Sequence, residues 1–273
     1  MWKIIEKNNL QIAVCEELTE FDWVEQAFSL RLGGTSEPPF SSLNLGLHVG
    51  DRRENVLKNR MIYTSALEIS MDQLTCCEQI HGDTIVKVDY GHRGKGAYQL
   101  EDAVPGADGM ITNVEGIALL TFYADCVPHY IIDPFHKAIG LAHAGRRGTM
   151  LGIGPKVLQT MKMEYGTRYY QCLVAIGPSI GACCYIVDDI IRKEFDAWPQ
   201  GLRKASRETE NTGKWHLVLP LINKLQLIRL GVDESNIITA PWCTNCYKNL
   251  FFSHRGEGRY TGRMGALFMI KRR

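Results

Sequence analysis

Three short segments of this 273-residue chain set a metal-binding side chain among glycines and turn residues: Gln79-Ile80-His81-Gly82, Ala124-Asp125-Cys126-Val127-Pro128 and Ala142-His143-Ala144-Gly145. One thiol and two imidazoles suit a borderline-soft divalent ion, zinc first and copper second. Three protein ligands leave a fourth tetrahedral position open, where zinc lowers the pKa of a bound water to about 7. The same residues have a plainer reading, with Cys126 a small buried hydrophobe and the histidines hydrogen-bonded in loops. A competing metal reading rests on Cys243-Thr244-Asn245-Cys246, a C-x-x-C that needs Cys183-Cys184 or His254 to reach four ligands. Cys76-Cys77 and Cys183-Cys184 are adjacent pairs whose side chains point apart in an extended chain. These cysteines therefore read as structural or incidental thiols.

The elements that must position the first set are legible around it. Apolar runs at 117–123, 130–133 and 138–142, punctuated by Pro128 and Asp133-Pro134, predict a β-meander. If its outer strands both run antiparallel to the middle one, their C-terminal ends share an edge of the sheet. Cys126 and His143 would then have backbones about 10 Å apart or less. His81 would reach the same point from the loop before a strand at 84–90. Hydrophobic periodicity predicts helices near 54–70, 149–164, 188–198 and 217–230, with further strands near 171–176, 236–240, 250–253 and 266–270. The stretches 31–40, 91–108 and 201–214 read as polar loops. Interspersed strands and helices predict an α/β (α+β) chain, a mixed β-sheet covered by helices. No linker divides it, so one domain spanning 1–273 is expected.

Composition narrows the function classes. Lys plus Arg is 31 against 30 for Asp plus Glu, so there is no general basic field for nucleic acid or an anionic membrane. Hydrophobic residues at 45% supply a core, yet no run of eighteen apolar residues exists to span a bilayer. The first residues, Met1-Trp2-Lys3-Ile4-Ile5-Glu6, lack an apolar signal core. Nine cysteines without an export signal read as reduced thiols or ligands, and a cytoplasmic location is the expectation. Oligomeric state leaves no signal of its own.

Taken in order, the motifs resemble a known family. They run through Arg31-Leu32-Gly33-Gly34-Thr35-Ser36, Ser42-Leu43-Asn44-Leu45-Gly46-Leu47-His48-Val49-Gly50-Asp51, Asn59-Arg60, Gln79-Ile80-His81-Gly82 and Ala107-Asp108-Gly109. They continue with Ala124-Asp125-Cys126-Val127-Pro128, His143-Ala144-Gly145-Arg146-Arg147-Gly148, Gly177-Pro178-Ser179-Ile180-Gly181, Cys243-Thr244-Asn245-Cys246, Ser253-His254-Arg255-Gly256 and Thr261-Gly262-Arg263. The chain resembles the YfiH/YlmD-type proteins over nearly its whole length. These were long called laccase-domain or polyphenol oxidase proteins and are now regarded as purine nucleoside phosphorylases; human FAMIN has a related domain. The resemblance implies a fold shared with toxin-type cysteine hydrolases and zinc held by His81, Cys126 and His143. It also implies phosphorolysis of adenosine, inosine and methylthioadenosine, together with adenosine deamination. Arg146 stands where the family usually has Trp, and Ser179 where Cys is common; the first bears on the pocket wall.

Roles follow from those chemistries. Deamination needs water attack at C6 and a proton for the departing ammonia, and Asp125 is the carboxylate best placed to carry it. Phosphorolysis needs phosphate presented to the anomeric carbon, and Arg147 at a helix opening is the candidate anion contact. Asn44 and Gln79 are candidate amide contacts to ribose or base, and Arg60 either a second anion contact or a helix-face ion pair. The expected partners are therefore a purine nucleoside and phosphate. Two rival enzymes use the same residues. A copper-dependent polyphenol oxidase would be built on paired His-x-His motifs, and none of the eight histidines forms one. A cysteine hydrolase would use Cys126 as nucleophile and His143 as base. A non-enzymatic, division-associated role predicts function that survives substitution of His81.

Overall fold

Asn8 and Asn9 adopt φ of 47° and 64° and reverse the chain between Lys7 and Leu10. Asn tolerates this left-handed backbone, and a two-residue turn of that hand matches the twist of the strands it joins. The computed structural model, which describes residues 1–196, 203–210 and 213–272, builds its first sheet outward from this hairpin. In spatial order the sheet is β1 (Trp2–Lys7), β2 (Leu10–Cys15), β3 (Val24–Ser29), β15 (Met264–Ile270), β7 (Ala118–Tyr123) and β4 (Leu74–Cys76). A second six-stranded sheet is ordered β14 (Ile237–Thr239), β10 (Leu173–Ile176), β8 (Val127–Asp133), β9 (Ala138–Ala144), β6 (Gly109–Thr112) and β5 (Ile85–Lys87). Both sheets are mixed: β4–β7, β5–β6 and β10–β14 are parallel and the remaining pairs antiparallel. A small third sheet joins β11 (Ile186–Asp188), β13 (Lys214–Leu217) and β12 (Ser206–Glu208).

The two large sheets pack face to face, so the single mixed sheet expected from sequence is corrected to a pair. Strand alternation explains which residues meet. Leu119 and Tyr123 of β7, Phe28 of β3 and Phe268 of β15 share one core with Tyr130 and Ile132 of β8 and Ile139 and Leu141 of β9. Each such apolar side chain, fully buried, contributes about 1.5–3 kcal/mol. Two hydroxyls stitch the layers: Tyr130 donates to the Ala27 carbonyl at 2.8 Å and Tyr123 to the Ala142 carbonyl at 2.9 Å.

Helices cover the outer faces. After the short α1 (Glu16–Thr19), α2 (Arg53–Ala66) lays Tyr63 and Ala66 over Leu120 and Leu267 of the first sheet. On the second sheet lie α4 (Ile153–Tyr165) and α6 (Leu219–Leu230), with Val157, Leu158, Ile222 and Leu227 against Ile111, Ile131 and Val174. A Cβ at Gly140 would meet Val157 Cγ1 at 2.6 Å, so glycine lets α4 press onto β9. The helix expected at 149–164 is two pieces, α3 (Arg146–Met150) and α4, broken where Gly152 takes φ 73°. The one expected at 188–198 begins as α5 (Asp189–Lys193), and its last residues lie outside the described ones. Part of the predicted loop 201–214 pairs as β12 and β13; residues 201, 202, 211 and 212 are outside the description. No strand forms at 250–253, where Leu250 and Phe251 donate to the Tyr247 carbonyl in a turn that leads to α7 (His254–Glu257).

The meander is also corrected. β7 belongs to the first sheet and β8 to the second, so Ala124-Asp125-Cys126 is a passage between layers rather than a hairpin. The chain passes from the first sheet to the second twice, from β4 to β5 and from β7 to β8. Both passages end at the same place.

Candidate metal centre

His81 lies in the first passage and Cys126 in the second, while His143 sits near the end of β9. Cys126 and His143 meet because β8 starts where β9 finishes: Val127 pairs with Ala144 and Pro128 with His143. One donor atom from each of His81, Cys126 and His143 lies within 4.8 Å of the other two. The His81 and His143 rings stand nearly perpendicular, their centroids 4.8 Å apart.

The backbone is held in costly conformations to achieve this. Gln79, His81 and Asp125 all have left-handed φ, of 56°, 59° and 88°. Asp108, completely buried just before β6, fixes the His81 turn. Its Oδ2 accepts the N–H groups of Ile80 at 3.1 Å and Gly82 at 2.6 Å, and its Oδ1 accepts that of His81 at 3.0 Å. Oδ1 also lies 2.9 Å from His143 Nδ1. With Nδ1–H donated to this carboxylate, Nε2 is the nitrogen left for an ion. In the sequence Asp108 stands out only as part of Ala107-Asp108-Gly109, with nothing to mark its role. Its partner is 35 residues away, and no spacing rule reaches that far.

The groups of the cluster shift one another's titration. Burial pushes the Cys126 thiol up, but the His143 charge and hydrogen bonds from His143 and His81 overcome it and bring the thiol to about 6. Burial likewise lowers His143, yet the Cys126 thiolate and the Asp108 carboxylate raise it to about 9. Burial disfavours the Asp108 carboxylate too; the His143 contact and the backbone donors nevertheless hold it below the usual range.

The donor set fits zinc on chemistry and on space. Bonds of about 2.0–2.3 Å in a tetrahedron require donor separations of about 3.3–3.8 Å, compatible with the cluster. Gly145 leaves the room. A Cβ there would come 2.9 Å from His81 Cδ2 and 3.2 Å from Cys126 Sγ.

His81, Cys126 and Asp125 line a cavity of about 390 Å³, walled by Ile180, Tyr185, Ile191 and Leu219 and flanked by Arg146, His254 and Arg255. That volume falls within the range of small-molecule pockets, about 300–1,000 Å³. Asp125 is anchored as well as exposed to the cavity: Oδ1 accepts from Thr244 Oγ1 at 2.6 Å and Oδ2 from the Arg255 N–H at 2.6 Å. The Arg255 guanidinium lies 5.0 Å from the centre of the Tyr185 ring.

Other expected site residues are placed elsewhere. Arg147 is exposed on α3 and is not among the residues lining the cavity; its neighbour Arg146 is. Gln79 spends its amide on the Phe122 backbone, donating to the carbonyl at 2.9 Å and accepting the N–H at 2.7 Å. Asn44 is fully buried and donates to Gly46 and Asp51 while accepting from Gly46 and Arg263. Arg60 is buried beneath Phe122 and donates to the carbonyls of Leu45, Gly96 and Ala97, which excludes both roles expected for it. Arg255 carries no sequence signal of its own beyond its place in Ser253-His254-Arg255-Gly256.

Two packed mixed sheets, with a His–Cys–His donor set where the chain changes layers, define an α+β protein with a candidate metal site. The chain belongs to the family described as multi-copper polyphenol oxidoreductase laccase, which matches residues 25–271. It is 43% identical over 233 residues to the purine nucleoside phosphorylase YlmD of Geobacillus stearothermophilus, covering 85% of each chain. It is 30% identical over 253 residues to adenosine deaminase RL5 from an unknown prokaryotic organism, covering 90% of this chain and 96% of that one. Its structure superposes on Bacillus licheniformis hypothetical protein YfiH with a TM-score of 0.92 at 35% identity, covering 98% and 97% of the two chains. Among the described residues no helix is long and apolar enough to cross a membrane.

Proposed function

We propose that this chain is a zinc-dependent purine nucleoside phosphorylase that also deaminates adenosine, working in the cytoplasm on adenosine, inosine and methylthioadenosine. The observation that carries the reading is a soft three-donor cluster, His81, Cys126 and His143, opening into a nucleoside-sized cavity flanked by two arginines. Relatives named as phosphorylases and as an adenosine deaminase support it. When bound, zinc supplies a Lewis-acidic centre at the cavity floor.

The protein's own groups do the rest. Asp108 holds the His143 tautomer and the His81 turn. Tyr185 offers a ring face to the purine, and Ile180, Ile191 and Leu219 exclude water around it. Arg255 and Arg146 hold phosphate, with Arg147 outside the cavity as a further attracting charge. In phosphorolysis a phosphate oxygen bonds to the anomeric carbon while the N-glycosidic bond breaks, its electron pair leaving with the purine. In deamination Asp125 takes a proton from the attacking water and returns it to the departing ammonia. Asn44 and Gln79 act through the backbone they brace rather than on substrate.

One geometric fact favours a second reading. Cys126 Sγ, the His143 ring and the Asp108 carboxylate stand in series, with a His143 ring nitrogen within 4.8 Å of the sulfur and Nδ1 2.9 Å from Asp108 Oδ1, the arrangement of a cysteine hydrolase. Zinc separates the two readings, because it supports the first activity and blocks the second. The deciding experiment incubates zinc-replete protein with adenosine, with and without phosphate, and chromatographs the products. Adenine formed only with phosphate establishes phosphorolysis, and inosine establishes deamination. Neither product from protein of verified zinc content overturns the proposal.

A further inference from the structure

From sequence, Cys243-x-x-Cys246 is a competing metal reading that Cys183-Cys184 or His254 would have to complete, and the divergence of neighbouring side chains in an extended chain favours structural or incidental thiols instead. The structure corrects this. Residues 181–185 form a tight turn, in which the Cys184 and Tyr185 N–H groups both donate to the Gly181 carbonyl at 3.1 and 3.0 Å. The turn carries both thiols toward Cys243 and Cys246, and all four sulfurs lie within 4.8 Å of one another.

We infer that these four cysteines form a second metal site, closed and structural, that takes a thiophilic divalent ion with zinc preferred. Four thiolates at about 2.3 Å from zinc stand about 3.8 Å apart. Cys246 Sγ is 3.3 Å from Cys183 Sγ and 3.5 Å from Cys184 Sγ. It stands between two sulfurs rather than paired with one, a cluster geometry and not a disulfide arrangement. Cys243 Sγ accepts the Gly181 N–H at 3.2 Å, an outer hydrogen bond of the kind that orients a metal-bound sulfur. A Cβ on Gly181 would stand 3.3 Å from Cys183 Sγ and 3.1 Å from Cys243 Cβ, so a larger residue would crowd the cluster. Four protein donors complete a tetrahedron and leave no open position, which separates this site from the three-donor centre.

The site has a task that follows from what it ties together. The 179–185 and 243–246 segments are some sixty residues apart in the chain. Thr244, between two of the cysteines, donates its N–H to the Ser179 carbonyl at 3.1 Å and its hydroxyl to Asp125 Oδ1. Ile180 donates its N–H to the Asp125 carbonyl at 2.9 Å, and Ile180 and Tyr185 wall the cavity. An ion on the four sulfurs locks both segments around Asp125. Its binding free energy is thereby spent on ordering that wall.

The test is elemental analysis of zinc-reconstituted full-length protein, which reads metal content independently of any activity. Wild type is expected to hold two zinc ions per chain, Cys246→Ser one, His81→Ala one, and the double variant none. Cobalt substitution is expected to give thiolate charge-transfer absorption that falls severalfold in Cys246→Ser and little in His81→Ala. Should Cys246→Ser fail to fold, wild type alone decides: zinc should protect these four thiols from a thiol reagent until a chelator is added. One zinc per chain in wild type, all of it lost with His81→Ala, overturns the inference. So does free reaction of the four thiols in zinc-replete protein, or recovery of disulfides among them.

Discussion

Replacing Asp108 by Asn tests whether the buried carboxylate is what makes the three donors a site. Oδ2 accepts two backbone N–H groups, and Oδ1 accepts a third together with the His143 ring. An amide offers one oxygen and one NH₂, so in either orientation two buried donors face another donor. Each donor left unsatisfied costs about 1–3 kcal/mol, giving a loss of about 2–6 kcal/mol in stability. The negative charge behind His143 disappears as well. Loss of such an outer partner weakens metal binding about 10–100-fold, or about 1.4–2.8 kcal/mol. Zinc affinity is measured by competition with a chromophoric chelator, and stability by urea unfolding of the metal-free protein. A variant with zinc affinity within about twofold of wild type and an unchanged urea midpoint would refute the role given to Asp108.

Three further outcomes are expected. With the Cys126–His143 pair titrating near 6 and 9, the metal-free protein at pH 7.5 holds one proton that zinc must displace. In Cys246→Ser, where only this centre is expected to take zinc, uptake should release about one proton at pH 7.5 and almost none above pH 9, as read by calorimetry in buffers of different ionisation enthalpy. Gly145→Ala keeps an allowed backbone, φ −71°, but sets a methyl against His81 and Cys126, so zinc affinity should fall at least about tenfold while the far-ultraviolet spectrum is retained. Arg255→Ala should raise the KM for phosphate about tenfold, since its backbone bond to Asp125 survives, whereas Arg147→Ala should change it less than about twofold in steady-state kinetics.

The three donors could be named from the chain because each sits in a segment whose glycines and turn residues announce a bend, and because their chemistry is rare. The reason for their meeting could not. Runs at 117–123 and 130–133 read equally well as neighbours in one sheet or as strands of two, since both are mostly apolar and buried on both faces, and such runs carry no alternation to tell the faces apart. The opening hairpin carried a signal in Asn8-Asn9 that short-range reasoning could have used. Arg147 and Arg146 are adjacent and alike, and no spacing rule tells which of the two lines the cavity. Cys183-Cys184 misled for a physical reason: the rule that adjacent side chains diverge holds for strands, and these two sit in a turn.

Each route by which the chain crosses from its first sheet to its second bears one donor, and the third comes from the layer it arrives in. An ion seated there acts as a rivet through both plates of the sandwich. Prising the plates apart and shedding the ion are then one event, so a metal-sensitive dye and a core fluorophore should report the same unfolding transition.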